Sequence, residues 1–331
     1  MKGTGRDPQG QPEKEPTEAG PEGAVRCARI PQKQRGVLLL AHGAPERVED
    51  VESYLNYVRG GRPASPRVVE EVRRRYAAVG GSSPLLAWTR RQAKALAGLL
   101  EMPVFFGMRN WHPFIAETME QVREAGIGRL AAICLTPQFS EMSVGLYMRR
   151  TDEARQWAGV EAEILWAKSF YDEPLVIEAF AEKLAPIVGG KAVLFTAHSL
   201  PEKALAGGDP YDREARATAA AVAQRVGLRD WGFAYQSQGM TDEAWLGPTV
   251  EACLDQYTSE GVREVVVDPI GFVCDHIEVL YDIDILFKEY AAGRGMALTR
   301  PDSLNDSPVF TRALAEVAKR CFQGCFQSRD R

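Results

Sequence analysis

Residues 37–46 read VLLLAHGAPE and residues 193–202 read VLFTAHSLPE. The two decapeptides agree at Val, Leu, Ala, His, Pro and Glu, and their histidines stand 156 positions apart. Each is an apolar run of buried-strand length that ends in Ala-His and turns at a proline. Further strand-like runs follow in both halves: VFFGM (104–108), LAAICLT (130–136) and AEILWA (162–167), then WGFAYQ (231–236) and EVVVDPI (264–270). A later strand in each half also ends in proline, ICLTP at 133–137 and VVVDP at 265–269. Amphipathic stretches separate the runs, as in PRVVEEVRRRYAAV (66–79), TRRQAKALAGLL (89–100) and EARATAAAVAQRVG (214–227). Apolar strands alternating with helices predict parallel sheets covered on both faces. The expected fold is therefore α/β with two similar Rossmann-like halves. Ligands bind such sheets beyond the carboxyl ends of their strands. That puts His42 and His198 at a cleft between the halves.

The expected organisation is a disordered tail at 1–35, an N-terminal α/β domain at 36–168 and a C-terminal α/β domain at 169–326, whose last helix packs back on the first domain. The tail is dominated by Gly, Pro, Glu, Lys and Gln and has no apolar run, so it is neither a core segment nor a signal peptide. No stretch of 18 apolar residues occurs, so no transmembrane segment is expected. The net charge of −5 argues against nucleic acid as the partner, since phosphate binding needs a basic field. The six cysteines contain no CxxC pair and are expected to be reduced thiols. Cys321 and Cys325 would share a face if both were helical, which is too few ligands for an Fe–S cluster.

Four histidines are present: His42, His112, His198 and His276. His112, before a proline, reads as structural. His198 at a strand end can take a proton or bind a metal near neutral pH. In DPIGFVCDHIEVLYDID (268–284), Asp275, Glu278 and Asp282 have helical spacing and are expected on one helix face. Spacing alone leaves two readings open: a solvated face with Asp275 as N-cap, or a path for a divalent cation or protons.

FTAHSLPEKALAGGDPY (195–211), YQSQGMTDEAWLGP (235–248) and DPIGFVCDHIEVLYDID, with VGGSSPL (79–85) and YDEP (171–174), resemble the ferrochelatase family. The similarity runs in order from about Gly36 to Phe322. The resemblance implies insertion of ferrous iron into a porphyrin in haem biosynthesis, with porphyrin and Fe2+ as substrates and no permanently bound cofactor. It implies His198 as iron contact or proton acceptor and Glu278 as its partner. Asp282 keeps one position of an acidic row seen in some members, whereas the next position is Leu286, so an outer metal site would be incomplete. The compact segment 54–85 is similar to the coproporphyrin III-using branch. By that match Arg59, Arg75, Tyr76, Ser83 and Tyr147 would contact substrate, with Arg73 and Arg74 left as a solvated face. Arginine suits propionates because its planar fork binds a carboxylate bidentately.

His42 departs from that branch, which typically carries a tyrosine there that ligates product iron. Imidazole is also a good axial ligand, so His42 is expected to hold the product's iron from the face opposite His198. The alternatives are protoporphyrin IX as substrate, a chelatase for Co2+ or Ni2+, or a non-catalytic haem or coprohaem carrier. No HExxH, GxSxG or phosphate-cradling glycine loop supports a hydrolase. A cytoplasmic protein is expected, at most peripheral at a membrane, with a haem-pathway enzyme handing over substrate or receiving product.

Overall fold

The duplicated decapeptide lies at the centre of two sheets with one topology. The structure, a computed structural model, describes residues 34–239 and 243–326. In chain order its first half comprises β1 (Arg35–Ala41), a 3-10 turn (Val48–Asp50), α1 (Val51–Val58), α2 (Pro66–Ala78), α3 (Leu85–Leu100), β2 (Val104–Met108), α4 (Ile115–Glu124), β3 (Arg129–Cys134), α5 (Val144–Trp157) and β4 (Glu163–Ala167). After α6 (Pro174–Val188) come β5 (Ala192–His198), α7 (Glu202–Ala206), α8 (Tyr211–Val226), β6 (Gly232–Gln236), α9 (Val250–Ser259) and β7 (Glu264–Asp268). A π-helix (Glu278–Phe287), α10 (Lys288–Ala292), β8 (Ala297–Thr299) and α11 (Pro308–Phe322) complete the chain. Residues 1–33 of the tail, Cys27 among them, lie outside the described residues, and Arg35, assigned above to the tail, is the first residue of β1.

Both sheets are parallel and four-stranded, ordered β2-β1-β3-β4 and β6-β5-β7-β8. Strand order reverses at β1 in one and at β5 in the other, so each repeated histidine sits at a topological switch point, where such folds bind ligands. Val37, Leu38, Leu39 and Leu40 are wholly buried. Each such side chain contributes roughly 2 kcal/mol over an exposed one, which explains why β1 has no polar alternation. Leu38 and Leu40 face α4 and α5, whereas Val37 and Leu39 face the helices between the sheets. Leu194 in β5 faces the layer of α9, the π-helix and α10, whereas Val193 and Phe195 join the same central cluster as Val37 and Leu39. Two three-layer sandwiches thus share one helical layer, formed by α3, α6, α8 and α11 between the sheets.

Within that layer the last helix of each half crosses over. α6 follows the first sheet but packs on α8 and β7 of the second, and α11 follows the second sheet but packs on α3, β3 and β4 of the first. Both begin with proline at the first helical turn, where its missing N–H costs nothing. Ser307 also caps α11, accepting from Phe310 N at 3.2 Å.

Two local expectations are corrected, and one strand has no counterpart among the expected runs. β8, only ALT, is too short to be read from the sequence. Cys325 lies beyond the end of α11 and is exposed, whereas Cys321 is buried inside it, so the two do not share a helix face. Asp275 lies outside any helix, and the segment carrying Glu278 and Asp282 is wound as a π-helix, not an α-helix.

Candidate active site

Two glycines let the strand ends converge. Gly43 follows His42 with φ +84°, and a Cβ there would meet Trp111 N at 2.8 Å, so only glycine permits the turn. Gly271 lies so close to β5 that a Cβ would approach Ala197 Cα to 2.9 Å. It presses the loop after β7 against the strand that ends at His198, and delivers Phe272, His276 and Glu278 beside that histidine.

The second-half wall of the cleft is charged. His198 Nδ1 donates to Ser199 O at 2.5 Å and His276 Nδ1 donates to Cys274 O at 2.9 Å. A carbonyl only accepts, so both rings carry Nδ1–H and turn Nε2 toward the cleft. Both meet one carboxylate: Glu278 Oε1 lies 3.7 Å from His198 Nε2, and Oε2 lies 3.5 Å from His276 Nε2. The ring of Phe272 packs between the two imidazoles, 6.3 Å and 4.6 Å from their centroids. Enclosure alone would raise the pKa of Glu278, but the charges of His198, His276 and His42 outweigh it and bring the group down to about 2. Enclosure would likewise depress His276, yet its bond to and charge interaction with Glu278 raise it. Glu278 is therefore a standing negative charge, with His276 the imidazole it favours in the protonated form. The Glu278 side chain is 36% exposed, open to the cleft.

On the first-half wall the histidine itself is neutral. His42 is desolvated and lies near Arg109, which together lower its pKa to about 4. Its Nδ1 is 3.1 Å from Gly43 O and 3.2 Å from the Tyr54 hydroxyl, and its Nε2 accepts from Asn110 Nδ2 at 3.0 Å. Tyr54 and Tyr147 line the same cleft, and burial raises both phenols. Leu85, Leu135, Phe272 and Ile277 complete an apolar slot that brings His42, His198 and Glu278 together.

The residues expected to bind substrate are more dispersed. Tyr147 lines the cleft. Ser83 is buried two residues before the lining Leu85, whose N–H it accepts at 3.4 Å. Tyr76 is wholly buried, and Arg59 is exposed at the end of α1. Arg75 binds Glu71 at 3.0 Å, stacks on Tyr281 at 5.2 Å and reaches Asp282 at 3.7 Å. Asp282 is 4% exposed and also accepts from Ser237 Oγ at 2.5 Å. Its carboxylate is thus occupied by a hydroxyl and a guanidinium. Asp275 accepts from Ser303 and Asn305 at 2.9 and 2.8 Å and pairs with Arg300 at 3.1 Å, so it fastens the loop that carries Glu278. His112 pairs with Glu117 on the surface.

Sequence reasoning gave no role to His276, Arg109 or Asn110. His276 carried a signal, two residues before Glu278 in the loop after a central strand. Arg109 and Asn110 follow β2, which carries no matching histidine motif; only the pairing of β2 with β1 brings them to His42, where Asn110 N donates to His42 O at 3.0 Å. Arg109 stacks on Tyr147 at 4.7 Å, and no carboxylate pairs with it among the described residues.

Two parallel sheets of one order, with a histidine at each switch point and a carboxylate between, are built on a chelatase-type fold. The structures of SirB from Bacillus subtilis show the fold: the sirohydrochlorin chelatase in complex with cobalt gives a TM-score of 0.54 at 11% identity, covering 89% of this chain and 98% of that one. The SirB structure with Fe3+ gives 0.57 at 9% identity over the same shares. The pattern of the family described as Ferrochelatase matches residues 34–321. A ferrochelatase of Acidobacterium capsulatum is 44% identical over 311 residues, covering 87% of this chain and 94% of that protein. A coproporphyrin III ferrochelatase of Geobacillus sp. is 38% identical over 303 residues, covering 86% and 97%. The chain belongs to the ferrochelatase family. It is a lyase of haem biosynthesis that joins iron to porphyrin nitrogen.

Proposed function

We propose that this protein inserts Fe2+ into coproporphyrin III and releases coprohaem. The observation that carries the substrate assignment is Arg109, a half-buried guanidinium stacked beside the cleft with no carboxylate partner among the described residues. A partly desolvated cation without a counter-ion favours an anionic partner, and a propionate would supply one bidentately. Arg75, held by Glu71 and at 3.7 Å by Asp282, offers a second guanidinium at the π-helix. A substrate with four propionates uses more such cations than one with two. The naming of several relatives as coproporphyrin III ferrochelatases supports the same reading.

In the mechanism, the apolar slot takes the macrocycle with His198, His276 and Glu278 on one face and His42 on the other. Glu278, ionised across the working range, attracts Fe2+ to that face. His198 Nε2 contacts the ion weakly enough to let it pass on, since borderline imidazole and hard carboxylate together exchange Fe2+ readily. As Fe2+ exchanges its waters for the four porphyrin nitrogens, the two pyrrole N–H bonds break, and their protons leave one after the other, relayed to water by His198 once it has given up the ion and by His276 as it exchanges its own proton with water. His42, neutral and therefore not competing for protons, takes the product's iron from the opposite face. Asp282 serves as the tie of Arg75 instead of as an outer metal ligand. The protein works in the cytoplasm on a water-soluble substrate and exchanges porphyrin and coprohaem with neighbouring enzymes of the same synthesis; no described helix is long and apolar enough to cross a membrane.

The test is anaerobic mixing of Fe2+ with coproporphyrin III or with protoporphyrin IX, followed by visible absorption. Faster coprohaem formation is expected. Faster protohaem formation would transfer the protein to the other substrate, and binding of both without metalation would make it a carrier.

A further inference from the structure

The polar partners of His42 carry a consequence for the product. Its two ring nitrogens are both engaged by the protein: Nδ1 at 3.1 Å from Gly43 O and 3.2 Å from Tyr54 Oη, Nε2 at 3.0 Å from Asn110 Nδ2. The carbonyl of Gly43 can only accept, so the proton is on Nδ1 and the lone pair on Nε2. Nε2 can then only accept, which orients the Asn110 amide with its NH2 toward the ring. Asn110 is buried, 6% exposed, and its own N–H is fixed to His42 O at 3.0 Å. The only lone pair with which His42 could bind iron is thus already in use, by a group that belongs to the wall.

We propose that Asn110 is a positioning residue that caps the iron-binding lone pair of His42, so that the product is held by this histidine only in competition with the Asn110 hydrogen bond. This rests on the assignment of His42 as the ligand of product iron. The cap has two effects. An amide donor enforces the Nδ1–H, Nε2-lone-pair tautomer that a metal needs, and it keeps the imidazole neutral and aimed. It also subtracts the energy of one hydrogen bond from product binding, which speeds release. A carboxylate at the same place would do the opposite: it would accept from Nε2–H and leave no lone pair for iron.

Ferric coprohaem III and metal-free coproporphyrin III are titrated into the full chain and into Asn110→Ala, Asn110→Asp, His42→Ala and the Asn110→Ala/His42→Ala double variant, with Soret position and affinity recorded for each. Asn110→Ala is expected to bind coprohaem roughly fivefold more tightly, the worth of one neutral hydrogen bond, with the Soret band of the histidine-ligated form. Asn110→Asp, of nearly the same shape, is expected to weaken coprohaem binding and shift the band toward that of His42→Ala. Metal-free porphyrin affinity stays within about twofold in both, which a merely structural role for Asn110 would not produce. The double variant loses the gain. If His42→Ala leaves the band unchanged, His42 is not the ligand and the parent assignment fails. If His42→Ala shifts the band while Asn110→Ala and Asn110→Asp bind coprohaem alike, the ligand stands and the cap is refuted.

Discussion

His42 and His198 end equivalent strands of equivalent sheets, yet they live in different company. His198 faces a carboxylate shared with His276. His42 faces an amide, a phenol and a carbonyl. The segments after the third-position strands account for the charged half of the difference. After β7 the chain supplies His276 and Glu278, whereas after β3 it supplies Met142, Ser143 and Tyr147. One scaffold thus carries a wall for moving charge and a wall for holding a neutral ring. The lesson is that a duplicated fold fixes where functional residues sit, while the residues around each copy fix what its histidine does.

Substitutions on the two walls should therefore differ in kind. The largest effect is expected from Glu278→Gln and from His198→Ala, each lowering the rate of iron insertion by about 100-fold or more with porphyrin affinity within a few fold; anaerobic metalation kinetics and porphyrin fluorescence separate the two. Equal losses from His42→Ala would erase the distinction between the walls. Arg109→Leu comes next: loss of a charged hydrogen-bonding partner should raise KM for coproporphyrin III about tenfold while kcat changes little, read from initial rates. An unchanged KM would remove Arg109 from the substrate's contacts.

The smallest effect concerns stability. Between pH 6.5 and about 4 the unfolded chain protonates His42 and the folded protein does not. The unfolded state then binds more protons, so this histidine's contribution to stability is full above pH 6.5 and declines as pH falls toward 4. His42→Gln should accordingly flatten the fall of the urea midpoint across that window relative to the parent protein. Parallel curves would mean that His42 is more hydrated than its contacts indicate.

Much of this was legible because strands buried on both faces have no polar alternation to obscure them. Val37 to Leu40 and Val265 to Val267 declare themselves, and the repeated Ala-His-x-x-Pro-Glu places both switch points. The π-helix was not legible, because bonding from i to i+5 has no side-chain signature and the spacing of Glu278 and Asp282 also fits an α-helix. Asp275 was misplaced for that reason, and its partners Ser303 and Asn305 lie some thirty residues away. Arg109 and Asn110 were invisible because their importance comes from strand pairing across the sheet. The resemblance supplied His198 and Glu278 together; the shared carboxylate that joins in His276 emerged only from geometry.

The exchange of terminal helices has a bearing on ancestry. α6 leaves one sheet to cover the other, and α11 returns the favour. Two identical copies of a β-α module trading their last helices would form a closed, two-fold symmetric pair, each occupying the other's exposed face. Joining the copies end to end turns that association into a unimolecular event with a high effective concentration. It also removes the possibility of going back, since either copy alone would present to water the apolar face its sibling now covers. In a chain so joined, the two walls of the cleft can differ in chemistry while staying fixed in place.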